Sequence, residues 1–182
     1  MSLNKSTKQI NTTKLDVIFI VGCPASGKST VSKYLQEELN SPFFEFGWIP
    51  EYRNLNIVQT YEDEEKLSFE NLNLVVKNYV KHGYKNIILT DIRDNLITKI
   101  PSIYKNYSYH IFTLIPSVET IKNRINQRKI DDQGFSEISL ALKSNDYWNK
   151  SSLTKQTKFH LKNETPEEIA NLILVEIRSL KN

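Results

Sequence analysis

Five short, largely apolar runs punctuate the chain, at residues 16–21, 41–46, 85–90, 109–115 and 157–161, and between them apolar residues return at helical spacing. The first run, DVIFIV, is β-branched and continuous, the pattern of a strand buried on both faces. The stretch that follows, STVSKYLQEEL at 29–39, spaces Val31, Tyr34, Leu35 and Leu39 for one side of a helix. Further along, 64–83 reads as a helix stopped by Gly83, and 95–104 as a short helix bent or ended near Pro101. Residues 117–129 open with Ser117 as N-cap and Glu119 in the first turn, and 136–150 continue the helical pattern. A final helix over 165–180 has Thr165 as N-cap and Pro166 at its first position. Strands alternating with helices predict an α/β fold, a parallel five-stranded sheet covered on both faces.

Length and composition add limits rather than a function. The 182 residues suit one domain, without repeats or a Pro/Gly-rich linker. Residues 1–14 are expected to be a flexible N-terminal segment and 15–182 the domain. The opening has no apolar core of a leader, and no later apolar run approaches the roughly 20 residues of a membrane span. A net charge of +3 carries no signature of long nucleic-acid binding. The single Cys23 excludes an intrachain disulfide and suits a reducing compartment, so a soluble cytoplasmic protein is expected.

The end of the first run carries the most specific chemistry. Gly22, four residues, then Gly27, Lys28 and Ser29 fit the Walker A pattern G-x-x-x-x-G-K-[ST] between a predicted strand and a predicted helix. Two glycines permit a backbone that wraps its N–H groups around a phosphate at the positive end of a helix. Gly22, Ala25, Ser26, Gly27, Lys28, Ser29 and Thr30 are therefore the candidate nucleotide-binding residues. Lys28 would reach the β- and γ-phosphates and Ser29 would ligate Mg²⁺. Cys23, inside the loop, reads as a small spacer rather than a redox switch.

Other motifs narrow the class. A guanine-reading Asn-Lys-x-Asp is not supported, because Ser152 stands where the aspartate of NKSS at 149–152 should be. The third run ends IILTDIRD, with Asp91 but no following glutamate of the kind a remodelling ATPase uses to polarise water. Asp91 is a candidate Mg²⁺ or acceptor contact. In a lysine-rich chain the five arginines invite a reason, and planar bidentate anion recognition is one. Arg53, Arg93, Arg124 and Arg128 all follow predicted strand ends, where open α/β sheets bind ligands.

Taken together, GCPASGKST, FFEFGW, LTDIRD, ETIKNRINQRK and HLKNETPEEIANLIL resemble the small P-loop kinases: shikimate, gluconate, nucleoside and nucleotide kinases and the chloramphenicol phosphotransferase-like group. That resemblance implies a three-layer α/β/α P-loop NTPase fold, with a short lid around 129–136 and Arg124 and Arg128 embracing the transferring phosphoryl group. It also implies an acidic residue near the end of strand two, for which Glu45 and Glu51 are both candidates, and an adenine-reading loop at Lys162 and Asn163. Arg93, with Arg53, Trp48 and Tyr52, would line the acceptor pocket. The expectation is an ATP- and Mg²⁺-dependent kinase acting on a hydroxyl or phosphate of a small molecule. A regulatory nucleotide-binding module, and a phosphotransferase toxin or nucleic-acid end kinase, are the alternatives.

Overall fold

The computed structural model describes residues 15–48, 60–130 and 137–180. Five strands, β1 (Val17–Gly22), β2 (Phe43–Glu45), β3 (Ile87–Thr90), β4 (Tyr109–Pro116) and β5 (Gln156–Leu161), form one sheet of order β2-β3-β1-β4-β5. Every pairing is parallel; Val17 stands opposite Ile87 on one side and Tyr109 on the other. β1, β3 and β4 are buried along their whole length, as continuous apolar runs require.

Among the described residues seven helices cover the sheet: α1 (Lys28–Leu39), α2 (Tyr61–Lys81), α3 (Asp94–Ile97), α4 (Ile100–Ile103), α5 (Val118–Ile130), α6 (Ile138–Lys150) and α7 (Pro166–Ser179). The pleat of β1 divides the core in two. Val17, Phe19 and Val21 face one side with Phe69, Leu72 and Val76 of α2 and with Trp148 of α6. Ile18 and Ile20 face the other, among Val31 and Leu35 of α1 and Ile169, Ile173 and Ile177 of α7. Each such side chain removed from water contributes about 1.5–3 kcal/mol, so packing on the sheet outweighs local helix propensity in fixing these elements. This is the α/β/α sandwich that the strand–helix alternation predicts.

Several boundaries differ from the sequence reading, each for a local reason. The second strand ends at Glu45, and Phe46–Trp48 form a 3₁₀ turn because Phe46 points into the core, 6.1 Å from the Phe69 ring. α2 starts at Tyr61 rather than 64, since the Thr60 side chain accepts from the Asp63 N–H at 3.1 Å and three acidic residues fill the first turn. Pro101 does not end a helix. The chain breaks at Thr98–Lys99 and Pro101 sits in the first turn of α4, where its missing N–H costs nothing. Tyr34 is exposed, so Val31 and Leu35 carry the buried side of α1 with half-buried Leu39.

Other signals are read correctly. Gly83, at φ 88°, takes the left-handed conformation just beyond α2, and its N–H reaches the Val80 carbonyl at 2.9 Å. Ser117 caps α5 by accepting from the Thr120 N–H at 3.1 Å.

Candidate functional site

The loop from β1 to α1 needs its glycines. Gly22 sits at φ 150°, and a Cβ there would lie 2.6 Å from the Leu114 carbonyl oxygen, closer than any side chain can stand. Gly27 is at φ 97° and Ala25 at φ 64°, so the loop curls through left-handed backbone on its way into the helix. Beneath the loop, Cys23 and Ala25 pack on Ile121 and Ile125 of α5 and Ala141 of α6. Burial pushes the Cys23 thiol up to about 11, which makes it a packing residue rather than a reactive one. Ser26 Oγ is buried with no hydrogen-bond partner.

α1 begins on Gly27, with no side-chain cap and no acidic residue in its first turn, and Ser29 and Thr30 are exposed there. Lys28 Nζ donates to the carbonyls of Gly22 and Cys23, each at 3.0 Å, and lies 3.9 Å from Asp91 Oδ1. Burial lowers the Lys28 pKa, and the Asp91 carboxylate opposes that shift. Arg124 Nη1 donates to the Ala25 and Ser26 carbonyls at 3.1 Å each, bracing the outer curve of the loop from α5. Arg128, one turn on, lines a recess of about 340 Å³ with Gly27, Lys28, Ser29, Thr30 and Asp91.

On the other side of Lys28 a larger recess, about 600 Å³, runs under Phe46 and along the residues after β3. Asp91, at φ 64°, turns the chain there, and Arg93, Asp94, Asn95 and Ser144 supply the polar lining. Arg93 is held by α2. Its Nε pairs with the buried Glu65 carboxylate, its Nη2 donates to the Tyr61 hydroxyl, and the Tyr61 ring centre is 5.2 Å from the guanidinium carbon. Asp94 Oδ2 accepts from Ser144 Oγ at 2.9 Å, and the Asp94 carbonyl accepts from the Tyr147 hydroxyl at 3.2 Å. Burial raises the Asp94 pKa, against the pull of the Ser144 hydrogen bond and the Lys28 charge.

Of the sequence candidates, Lys28, Ser29, Thr30, Gly27, Ala25, Asp91 and Arg128 thus meet in one recess, and Gly22 and Arg93 join Lys28 and Asp91 in the adjoining one. Arg124 touches the loop from outside. Glu45 is half-buried at the end of β2, opposite Thr90, and lines neither recess. Trp48 is 55% exposed and packs edge-on against Phe43. Lys162 and Asn163 are exposed between β5 and α7; Lys162 lines a separate recess of about 410 Å³ with Ser117 and Asn145. Glu51, Tyr52, Arg53 and lid positions 131–136 lie outside the described residues.

Sequence reasoning does not single out Asp94, Glu65, Tyr61, Asn95 or Ser144 as site residues. The density of polar residues in TDIRDN directly after a buried strand was a usable signal for two of them.

A parallel sheet with a glycine-lysine-serine loop between its central strand and the following helix defines a P-loop NTPase. Within that class, the AAA_18 family model, described as an AAA domain, matches residues 18–141, more than half of the chain, and the chain belongs to this family. No curated protein matches it. Among solved structures it is similar to a sugar kinase from Janibacter sp., at 18% identity and TM-score 0.61 over 88% of this chain and 94% of that one. A gluconokinase from Sinorhizobium meliloti gives 15% identity and TM-score 0.62 over 88% and 90%. A shikimate kinase from Acinetobacter baumannii in complex with shikimate gives 19% and 0.57 over 91% and 94%. At these identities the likeness is one of fold.

Proposed function

We propose that the protein is an ATP-dependent kinase that transfers the γ-phosphoryl group to a hydroxyl of a small-molecule acceptor. One observation carries this reading: Lys28 and Asp91 line two recesses at once, a smaller one at the open start of α1 and a larger polar one beside it. A protein that only binds nucleotide has no use for the second. The kinase names of the similar structures support the same choice.

The donor set suits a nucleotide triphosphate. The loop backbone and the uncapped first turn of α1 present N–H groups, Lys28 supplies a desolvated ammonium and Arg128 a second cation. Magnesium, when bound, neutralises the β- and γ-phosphates; the Ser29 hydroxyl and Asp91 carboxylate would hold it, one or two protein oxygens being its usual share. Lys28 exchanges its carbonyl partners for phosphate oxygens, and Arg128 follows the γ-phosphoryl charge. The acceptor oxygen bonds to the γ-phosphorus as the bond to the bridging oxygen breaks. ADP leaves with that electron pair, and the acceptor proton passes to Asp91. Catalysis is therefore mostly positioning and charge stabilisation.

The test is transfer of labelled γ-phosphate from Mg-ATP to a pooled panel of nucleosides, nucleotides, sugars, sugar acids and aminocyclitols, with Lys28→Met as control. A labelled small product made by the wild type and absent from the control is the expected result. Nucleotide binding without any labelled product, across the panel, would sink the kinase reading.

A further inference from the structure

Arg93 looks in sequence like an anchor for an anionic acceptor, but its surroundings assign it otherwise. Among the described residues lining the larger recess, the cations are Lys28 and Arg93 and the carboxylates are Asp91 and Asp94. Lys28 is bonded to the loop carbonyls and serves the nucleotide side. Arg93 is already neutralised: Glu65, its partner through Nε, has a side chain only 6% exposed and no route to solvent screening, and Nη2 is committed to Tyr61. Withdrawing Arg93 to meet a ligand would strip the buried Glu65 carboxylate of its counter-ion.

From this we infer that the recess takes an uncharged, hydroxyl-rich acceptor, a nucleoside or neutral sugar, and rejects its carboxylate- or phosphate-bearing counterpart. The inference rests on the kinase reading above. Asp91 and Asp94 are acceptors suited to sugar or ribose hydroxyls, Asn95 offers both donor and acceptor, and Ser144 fixes the Asp94 carboxylate in place at 2.9 Å. Among the described lining residues an anion would find both cations already paired, Lys28 with Asp91 and Arg93 with Glu65, and the Asp94 carboxylate without a cation of its own. The Arg93–Glu65 pair acts as a rigid polar wall that excludes anions while leaving one edge of the guanidinium for a neutral oxygen.

Matched acceptor pairs test this: a nucleoside against its 5′-monophosphate, and glucose against gluconate, each measured as kcat/KM for phosphoryl transfer from Mg-ATP. Preference for the uncharged member of a pair by at least about tenfold is expected. Equal or better transfer to the anionic member overturns the inference and leaves the kinase reading standing; no transfer to any member removes both. Glu65→Gln, checked by thermal melting to be folded, releases Arg93 and should shift the anionic-to-neutral ratio upward by about tenfold. A folded variant whose ratio does not move also overturns the inference.

Discussion

Two helices that lie side by side on the same face of the sheet begin in opposite ways. α7 closes its own start: Thr165 and Glu168 form a reciprocal capping box at 3.2 and 2.8 Å, Pro166 fills the first turn, and Glu167 and Glu168 add charge. α1 has none of this. Its N-cap is Gly27, no side chain caps it, and no carboxylate stands in its first turn. Both helices are nonetheless pinned by one apolar cluster, Val31 and Leu35 with Ile169 and Ile173. The missing cap therefore does not cost α1 its place, and the N–H groups that α7 satisfies internally are left on α1 for an outside anion.

The largest way to break this contrast is Lys28→Met. Transfer should fall by about 10²–10³-fold or more, since a charge-stabilising donor is lost. Stability should respond in the other direction. Burial lowers the Lys28 pKa, so between that lowered value and the ordinary 10.5 the unfolded chain holds a proton that the folded one lacks. Wild-type stability therefore rises with pH across that window, and below it the full penalty of burying the charge applies. Denaturant titrations should show the Lys28→Met protein at least as stable as wild type at neutral pH, the gap closing as pH rises. A marked loss of stability instead would make Lys28 a structural residue.

Next in size is Thr30→Glu, which gives α1 the first-turn carboxylate that α7 already has. Nucleotide affinity, read by calorimetry, should drop by at least about tenfold through like-charge repulsion while thermal stability holds or rises. Unchanged affinity would mean that the phosphates do not sit at the start of α1. The smallest effect belongs to Thr165→Ala, which removes half of the α7 box. It should cost about 1 kcal/mol in a urea titration and leave kcat and KM for both substrates where they were.

The contrast also marks what could be read without coordinates. The buried central strand and several helix ends were legible: DVIFIV became β1, and Thr165, Pro166 and Gly83 bounded helices as their chemistry dictates. The loop was legible because its φ and space requirements admit few residue types, as Gly22 shows. Where long-range partners decide, the sequence was silent. Nothing in EEKLSF marks Glu65 as the counter-ion of Arg93, 28 positions away, because a glutamate on an exposed helix face reads the same as one turned inward. Arg124 was legible as an arginine needing a planar partner, but that partner in this structure is the loop backbone at Ala25 and Ser26. Alternation along FFEFGW carries the strand through Phe46 and cannot reveal that its ring leaves the sheet to meet Phe69.

Cys23, the chain's single cysteine, is fully buried where the loop seats on α5 and α6. A thiol-specific reagent can meet it only in the moments when the loop lifts off those helices, so its labelling rate is a built-in clock for loop opening. Saturating nucleotide should slow that clock, and no added probe or engineered cysteine is needed to read it.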